Sequence, residues 1–223
     1  MLKYEHVNVA VSRTNILNDI NITFPKGQIT TIIGPNGCGK TTLLQCLNGC
    51  SKVTAGTITV DNENILSLPL KERAKRIAFL PQIRTVIPVL PVRTLVEHGR
   101  FPYLGFTRRK TDKDNEIVNN SMEFTNVMPY SEDNADTLSG GIRQRVFFSM
   151  VNKLKKSGKT IILVLHDLSD AIRISDNLVI MNDRKIAISD TPANCLKTHI
   201  IEDVFHTTYK KFSDDEGDYY IFM

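Results

Sequence analysis

The sequence has no C-x-x-C pair, no tryptophan, no apolar run long enough to cross a bilayer and no dense block of one charge. Each absence removes a class of protein. Its four cysteines, Cys38, Cys46, Cys50 and Cys195, lack the paired spacing of a zinc site, and Cys46 and Cys50 stand one helical turn apart, a spacing that suits packing. A reducing, cytosolic setting is expected. Without a signal peptide or a spanning segment, any membrane role has to run through a partner. The net charge of +4 is spread along the chain, and the densest basic cluster, Arg108 to Lys110, suits a solvated loop, so nucleic acid is not expected as a partner. No internal repeat or low-complexity tract occurs. What remains is an ordinary globular composition, 41% hydrophobic and 23% charged over 223 residues, enough for one core with a sizeable insertion.

One stretch carries chemistry outright. Gly34 to Thr41 reads Gly-Pro-Asn-Gly-Cys-Gly-Lys-Thr and fits the phosphate-binding pattern G-x-x-x-x-G-K-[ST] without a mismatch. Gln28 to Ile33 before it suits a buried strand, and Thr42 to Leu47 after it suits a helix. Glycines at 34, 37 and 39 let backbone N–H groups wrap a polyphosphate with no Cβ in the way. Lys40 is placed to reach the outer phosphates, Thr41 to ligate Mg²⁺, and the helix N-terminus adds partial positive charge.

Around this loop the periodicity predicts an α/β order. Leu2 to Val11 and Ile16 to Phe24 suit strands of a small antiparallel sheet, and Gly56 to Asp61 a third. Leu68 to Arg76 suits a polar helix, and Arg76 to Leu80 a buried strand stopped by Pro81, with Gln82 just past its end. From Ile83 the chain turns helical: Val92 to Arg100, a helix from Thr111 with Asp114 completing a capping box, and a basic amphipathic helix after Leu138-Ser139-Gly140-Gly141. Ile161 to Leu165 is the most hydrophobic run and ends at His166-Asp167. Asp170 to Ser175 suits a helix, Asn177 to Asn182 and Arg184 to Ser189 strands, Ala193 to Phe205 a helix, and Thr207 to Met223 a hairpin.

The phosphate loop, Gln82 and Leu138-Ser139-Gly140-Gly141-Ile142-Arg143-Gln144-Arg145 together resemble the ATP-binding subunits of ABC transporters over nearly the whole chain. The resemblance implies an α/β P-loop NTPase fold with a RecA-like core, an N-terminal antiparallel β-subdomain and a helical insertion. It divides the single domain into residues 1–82 with 157–223, and a helical part, 83–156. It implies ATP and Mg²⁺ as cofactors, with Gly34, Pro35, Asn36, Gly37, Cys38, Gly39, Lys40, Thr41 and Thr42 around the phosphates. Ser139, Gly140 and Gly141 would form a second anion site that faces ATP on an opposite subunit, hence a homodimer closed over two ATP molecules. Gln82 would touch the metal along with Thr41, and His166 would act at the γ-phosphate; these two are the catalytic candidates. Partners would be ATP and a membrane-spanning permease, at the cytoplasmic face of the membrane. The phrasing of the phosphate loop, of Gly99 to Gly105 and of the terminal hairpin looks most like importers of iron-siderophore, haem or cobalamin-type compounds.

Two departures from that family shape the expectation. Between the signature helix and His166 the family has a hydrophobic strand ending Asp-Glu, a loop and a helix, about 25 to 30 residues. None of these is here, and the junction falls near Met150 and Val151. The fold is therefore expected one core strand and one helix short, with Ile161 to Leu165 either at an open edge or closed against Arg76 to Leu80. The resemblance gives the missing carboxylates the roles of holding Mg²⁺ and polarising water, so a binding module that does not hydrolyse ATP is the alternative to an active ATPase. Asp167 could replace the lost aspartate only by a strand shift that alternation of side chains opposes. The second departure is Val11, at the position where the family carries an aromatic residue that stacks on adenine.

Overall fold

A computed structural model describes residues 1–12, 14–79, 89–105, 109–135, 150, 151, 153–214 and 217–223. The chain divides into two units, Met1–Leu68 with Ser157–Met223, and Pro69–Lys156.

In the first unit, β1 (Leu2–Val11) pairs antiparallel with β2 (Thr14–Phe24). Alternation buries Leu2 and Tyr4, then skips a residue to bury Val7 and Val9; β2 likewise buries Leu17, then Ile20, Ile22 and Phe24. The skips are bulges. His6 and Asp19 take positive φ there, 50° each, and crossed asparagines satisfy them: His6 N–H donates to Asn21 Oδ1 and Asp19 N–H to Asn8 Oδ1, both at 2.9 Å. The bulges restore the inward phase after the extra residue.

The strand before the phosphate loop is β3 (Ile29–Ile33), buried at every position, as suits a strand inside a parallel sheet. It leads through the loop into helix α1 (Lys40–Asn48), which Gly49 closes in the left-handed region. Tyr4 donates its hydroxyl to the Leu43 carbonyl at 2.9 Å, pinning α1 to the first sheet. That sheet is completed by β4 (Ala55–Val60) and the short β5 (Glu63–Asn64), in the order β2-β1-β4-β5.

The second sheet has the order β6-β3-β7-β8, from β6 (Ile161–Val164), β7 (Asn177–Asn182) and β8 (Lys185–Asp190). β6 and β7 lie parallel to β3 on either side, and β8 returns antiparallel to β7. Among the described residues β6 has no neighbour on its other side, and all four of its residues are half-buried. The strand expected over Arg76 to Leu80 is absent where it can be seen: Arg76 ends a helix, residues 77–79 have no regular structure, and Ala78 is exposed.

Helix Leu168–Ile174 packs on this sheet through Ala171 and Ile172, beside Ile33, Leu178, Ile180, Cys195, Leu196, Ile201 and Val204. The helix expected over Ala193 to Phe205 is two, Pro192–Lys197 and Ile200–Phe205, because His199 between them takes φ 56°. A terminal hairpin, β9 (Tyr209–Asp214) and β10 (Gly217–Phe222), packs the Tyr209 ring edge-on against Tyr220 and tilted against Phe222.

The second unit holds helices Leu70–Arg76, Val92–His98 and Asp112–Phe124 and a helical stretch in 150–156. Its core is Val92, Val118, Met122 and Ala135. Thr111 and Asp114 form the expected capping box. Asp114 also accepts two bonds from Arg100, at 2.9 and 2.8 Å, and Arg100 lies 4.3 Å from the centre of the Tyr103 ring. Bonds from Thr111 and then from Arg100 pull the Asp114 carboxyl down to about 2.

Candidate functional site

The first unit brings two chain crossings to one edge of its parallel sheet. Ile32 lies beside Val164, so the phosphate loop after β3 and His166 after β6 both leave from the carboxyl ends of neighbouring strands, where ligands bind in open α/β sheets. His166 is exposed. The next residue, Asp167, is taken up elsewhere: its carboxylate caps helix Leu168–Ile174 by accepting from Asp170 N–H at 2.7 Å. It therefore serves the helix rather than a displaced metal.

In the loop, Gly34 is required by a close approach. A Cβ there would lie 2.3 Å from the Met181 carbonyl oxygen on the adjacent β7. Gly39, at φ 106°, is required by conformation and by space, since a Cβ would meet Leu17 Cδ2 at 2.7 Å and the Ile16 carbonyl oxygen at 3.0 Å. No side chain caps α1 at Gly39. The first helical bond is from Leu43 N–H to the Gly39 carbonyl, so the N–H groups of Lys40, Thr41 and Thr42 precede it and point to the loop side without a helical acceptor. Asn36, Gly37 and Thr41 are exposed around that opening; Pro35 is half-buried and Cys38 buried.

Lys40 is buried, at 6% exposure, and its ammonium donates to the carbonyls of Gly34 at 2.7 Å and Pro35 at 2.8 Å, with Cys38 Sγ 3.8 Å away. Among the described residues no carboxylate pairs with it. Carbonyl dipoles orient the ammonium and leave its charge without a counter-ion among the described residues, beside a row of orphan N–H donors. A polyphosphate supplies what both need. The donor set therefore fits ATP. For Mg²⁺ the described residues offer the exposed Thr41 hydroxyl and no acidic cluster.

Gln82, Ser139, Gly140 and Gly141 lie outside the described residues. The cysteines read as packing residues divide: Cys46 is buried, donates to the Thr42 carbonyl and has its thiol pushed up to about 11 by desolvation, whereas Cys50 is exposed. Sequence reasoning missed Asp176, whose carboxylate accepts from Ile29 N–H at 2.9 Å and fixes the start of the loop-bearing strand. It also missed Met181, which makes Gly34 obligatory. No signal marks either in the sequence, because both depend on the parallel pairing of β3 with β7.

The family model described as ABC transporter matches residues 17–163. The petrobactin import ATP-binding protein FpuD of Bacillus anthracis is 32% identical, over 92% of this chain and 86% of its own length. The iron(3+)-hydroxamate import ATP-binding protein FhuC of Bacillus subtilis is 31% identical over 92% and 87%, and the ferric enterobactin transport ATP-binding protein FepC of Escherichia coli 30% over 92% and 86%. The alignment with FpuD spans 236 positions and uses 92% of these 223 residues, about 205, so about thirty positions of that relative have no counterpart here. In fold, the chain is similar to a metal-chelate type ABC transporter captured facing inward, with a TM-score of 0.79 at 19% identity over 100% of this chain and 96% of that one. It is also similar to the dimeric cassette MJ0796 bound to ADP and phosphate, with a TM-score of 0.70 at 22% identity over 86% and 99%.

Proposed function

The chain belongs to the ABC transporter family as an ATP-binding subunit, and from that premise we propose that it serves an importer of iron-siderophore or related metal-chelate complexes. The observation that carries nucleotide binding is the buried Lys40 ammonium, held by two loop carbonyls at the head of α1 with no carboxylate partner among the described residues. In this reading the N–H groups at the start of α1 and Lys40 hold the polyphosphate, Thr41 reaches the metal, and His166 stands at the γ-phosphate. Bound ATP supplies the free energy that the family spends on transport.

The permease would be a separate membrane-spanning chain, which keeps this subunit peripheral at the cytoplasmic face; among the described residues no helix is long and apolar enough to cross a membrane. Exposed Leu95, Phe101 and Tyr103 give the helical unit apolar surface for such a contact. Gln82 and Ser139 to Gly141 are assigned to metal contact and to the ATP of a second copy on their motifs.

Two observations favour a chain that binds ATP and scarcely hydrolyses it. About thirty positions of a relative are missing, and β6 has no neighbour on one side among the described residues, where an acidic strand would fit. Positioned acid-base help is worth typically 10²–10⁴-fold in rate, so turnover is expected below that of a complete cassette by about this factor. Steady-state phosphate release with Mg-ATP, beside Lys40→Ala, tests the reading. Turnover of several per second that depends on Lys40 would refute the hydrolysis-deficient account and leave the transport ATPase standing.

A further inference from the structure

A parallel strand turns the backbone groups of alternate residues to opposite sides, so the bonds that β6 makes to β3 fix what its other side offers. Ile161 donates its N–H to the Gln28 carbonyl at 3.0 Å, and the register runs without a break from Ile29 beside Ile161 to Ile32 beside Val164. Ile161 and Leu163 therefore face β3. The N–H and C=O groups of Ile162 and Val164 point away from it, to a side where no strand pairs with β6 among the described residues. Such an edge is a template for another strand unless charge, proline or a bulge blunts it. Ile161 to Val164 carry none of these. At the far end of the same sheet β8 carries Lys185, Asp190 and a shift in its register with β7.

The open edge is complementary to itself. Two copies related by a two-fold axis beside Leu163 meet antiparallel, which sets Ile162 opposite Val164 of the second copy and Val164 opposite its Ile162. Each of those pairs can exchange both of its N–H···O bonds. The same register, continued outward, puts Lys159 opposite Asp167 of the second copy at each end of the seam. Both residues are exposed, and Asp167 keeps extended backbone, with φ −83° and ψ 119°. Its Oδ1 accepts from Asp170 N–H, which leaves Oδ2 for an ammonium. A slide of one residue would set outward-facing groups against inward-facing ones. A slide of two would take Lys159 off Asp167. Hydrogen bonding and charge thus choose one register.

We propose that β6 is a self-association edge, through which two copies of this chain join their sheets across an antiparallel β6–β6 seam. The seam is separate from the contact assigned to Ser139 to Gly141 and needs no nucleotide. Sedimentation of the full chain without nucleotide, over about 1 to 300 μM as suits a short interface, tests it. Lys159→Glu, Asp167→Lys and Ile162→Pro are run alongside, each checked for folding by circular dichroism. The unaltered chain is expected to show a monomer–dimer equilibrium. Lys159→Glu and Asp167→Lys each set like charges against one another at both ends, and each should weaken the dimer about fivefold or more. An equal mixture of those two variants should bring association back to within about threefold of the unaltered chain, because every end again carries opposite charges. Ile162→Pro removes an outward N–H and no bond to β3, and should abolish the dimer. Lys159 is exposed, so its variant carries the test where another fails to fold. A monomer throughout, a dimer only with Mg-ATP, a dimer indifferent to Lys159→Glu, or a mixture no tighter than either variant alone overturns the proposal.

Discussion

Lys40 concentrates the electrostatics of the molecule at one atom. Its ammonium is desolvated, oriented by the Gly34 and Pro35 carbonyls, and without a carboxylate among the described residues. A charge-assisted hydrogen bond contributes about 1.5–3 kcal/mol, so Lys40→Ala should weaken ATP about ten- to a hundredfold, read by calorimetric titration. Gly39 carries a different constraint. An alanine there has to adopt φ 106° and meets Leu17 and the Ile16 carbonyl, so Gly39→Ala should lower stability by at least about 1–2 kcal/mol, measured by denaturant unfolding. Asp114 sets an acid limit on the helical unit. Its folded pKa of about 2 lies below the ordinary carboxylate value, so its contribution is complete above about pH 4 and is lost as pH falls through about 2. Asp114→Asn should remove that acid-dependent component from a pH series of unfolding midpoints. At this scale the motif glycines, Lys40 and the Thr111 to Asp114 box were legible in the sequence, because their chemistry is local. The Met181 contact that demands Gly34, and the Arg100 bonds to Asp114, were not, because they join residues brought together only by folding.

Among the elements, β6 was expected either at an open edge or against Arg76 to Leu80. Its Ile-Ile-Leu-Val sequence suits a strand buried on both sides, yet each residue is half-exposed and only β3 pairs with it among the described residues. β3, flanked by β6 and β7, has both edges paired. Hydrogen exchange should follow this difference: amides of Ile29–Ile33 are expected to be the slowest of the sheet and those of Ile161–Val164 to include faster ones, by at least about tenfold. Equal protection on both strands would mean that β6 is covered on its outer side. The strands β1, β2, β4 and β7 could be read from alternation and β-branched runs, and α1 from its glycine-framed start. Residues 77–79 could not, since Ile-Ala-Phe after a polar helix has the composition of a strand and lacks, among the described residues, a neighbour to pair with. The break at His199 was also hidden, because a left-handed histidine leaves no mark on the hydrophobic pattern.

At the scale of the molecule, one unit presents the phosphate loop at the carboxyl edge of a parallel sheet, and the other is a helical unit with its own small core. The family and its fold were legible from three motifs; the pairing of β6 was open until the structure placed it against β3. About thirty positions of one relative have no counterpart in this chain, and in the proposed reading they fall on the hydrolytic side of the site. Binding and cleavage should therefore come apart. The most direct test is a single-turnover experiment in which the chain, in excess over labelled ATP with Mg²⁺, is followed for bound ATP and for ADP together. Prompt, Lys40-dependent capture of ATP with ADP forming about 10²–10⁴-fold more slowly than on a complete cassette is the predicted result. Capture that does not need Lys40, or conversion to ADP within seconds, would contradict it.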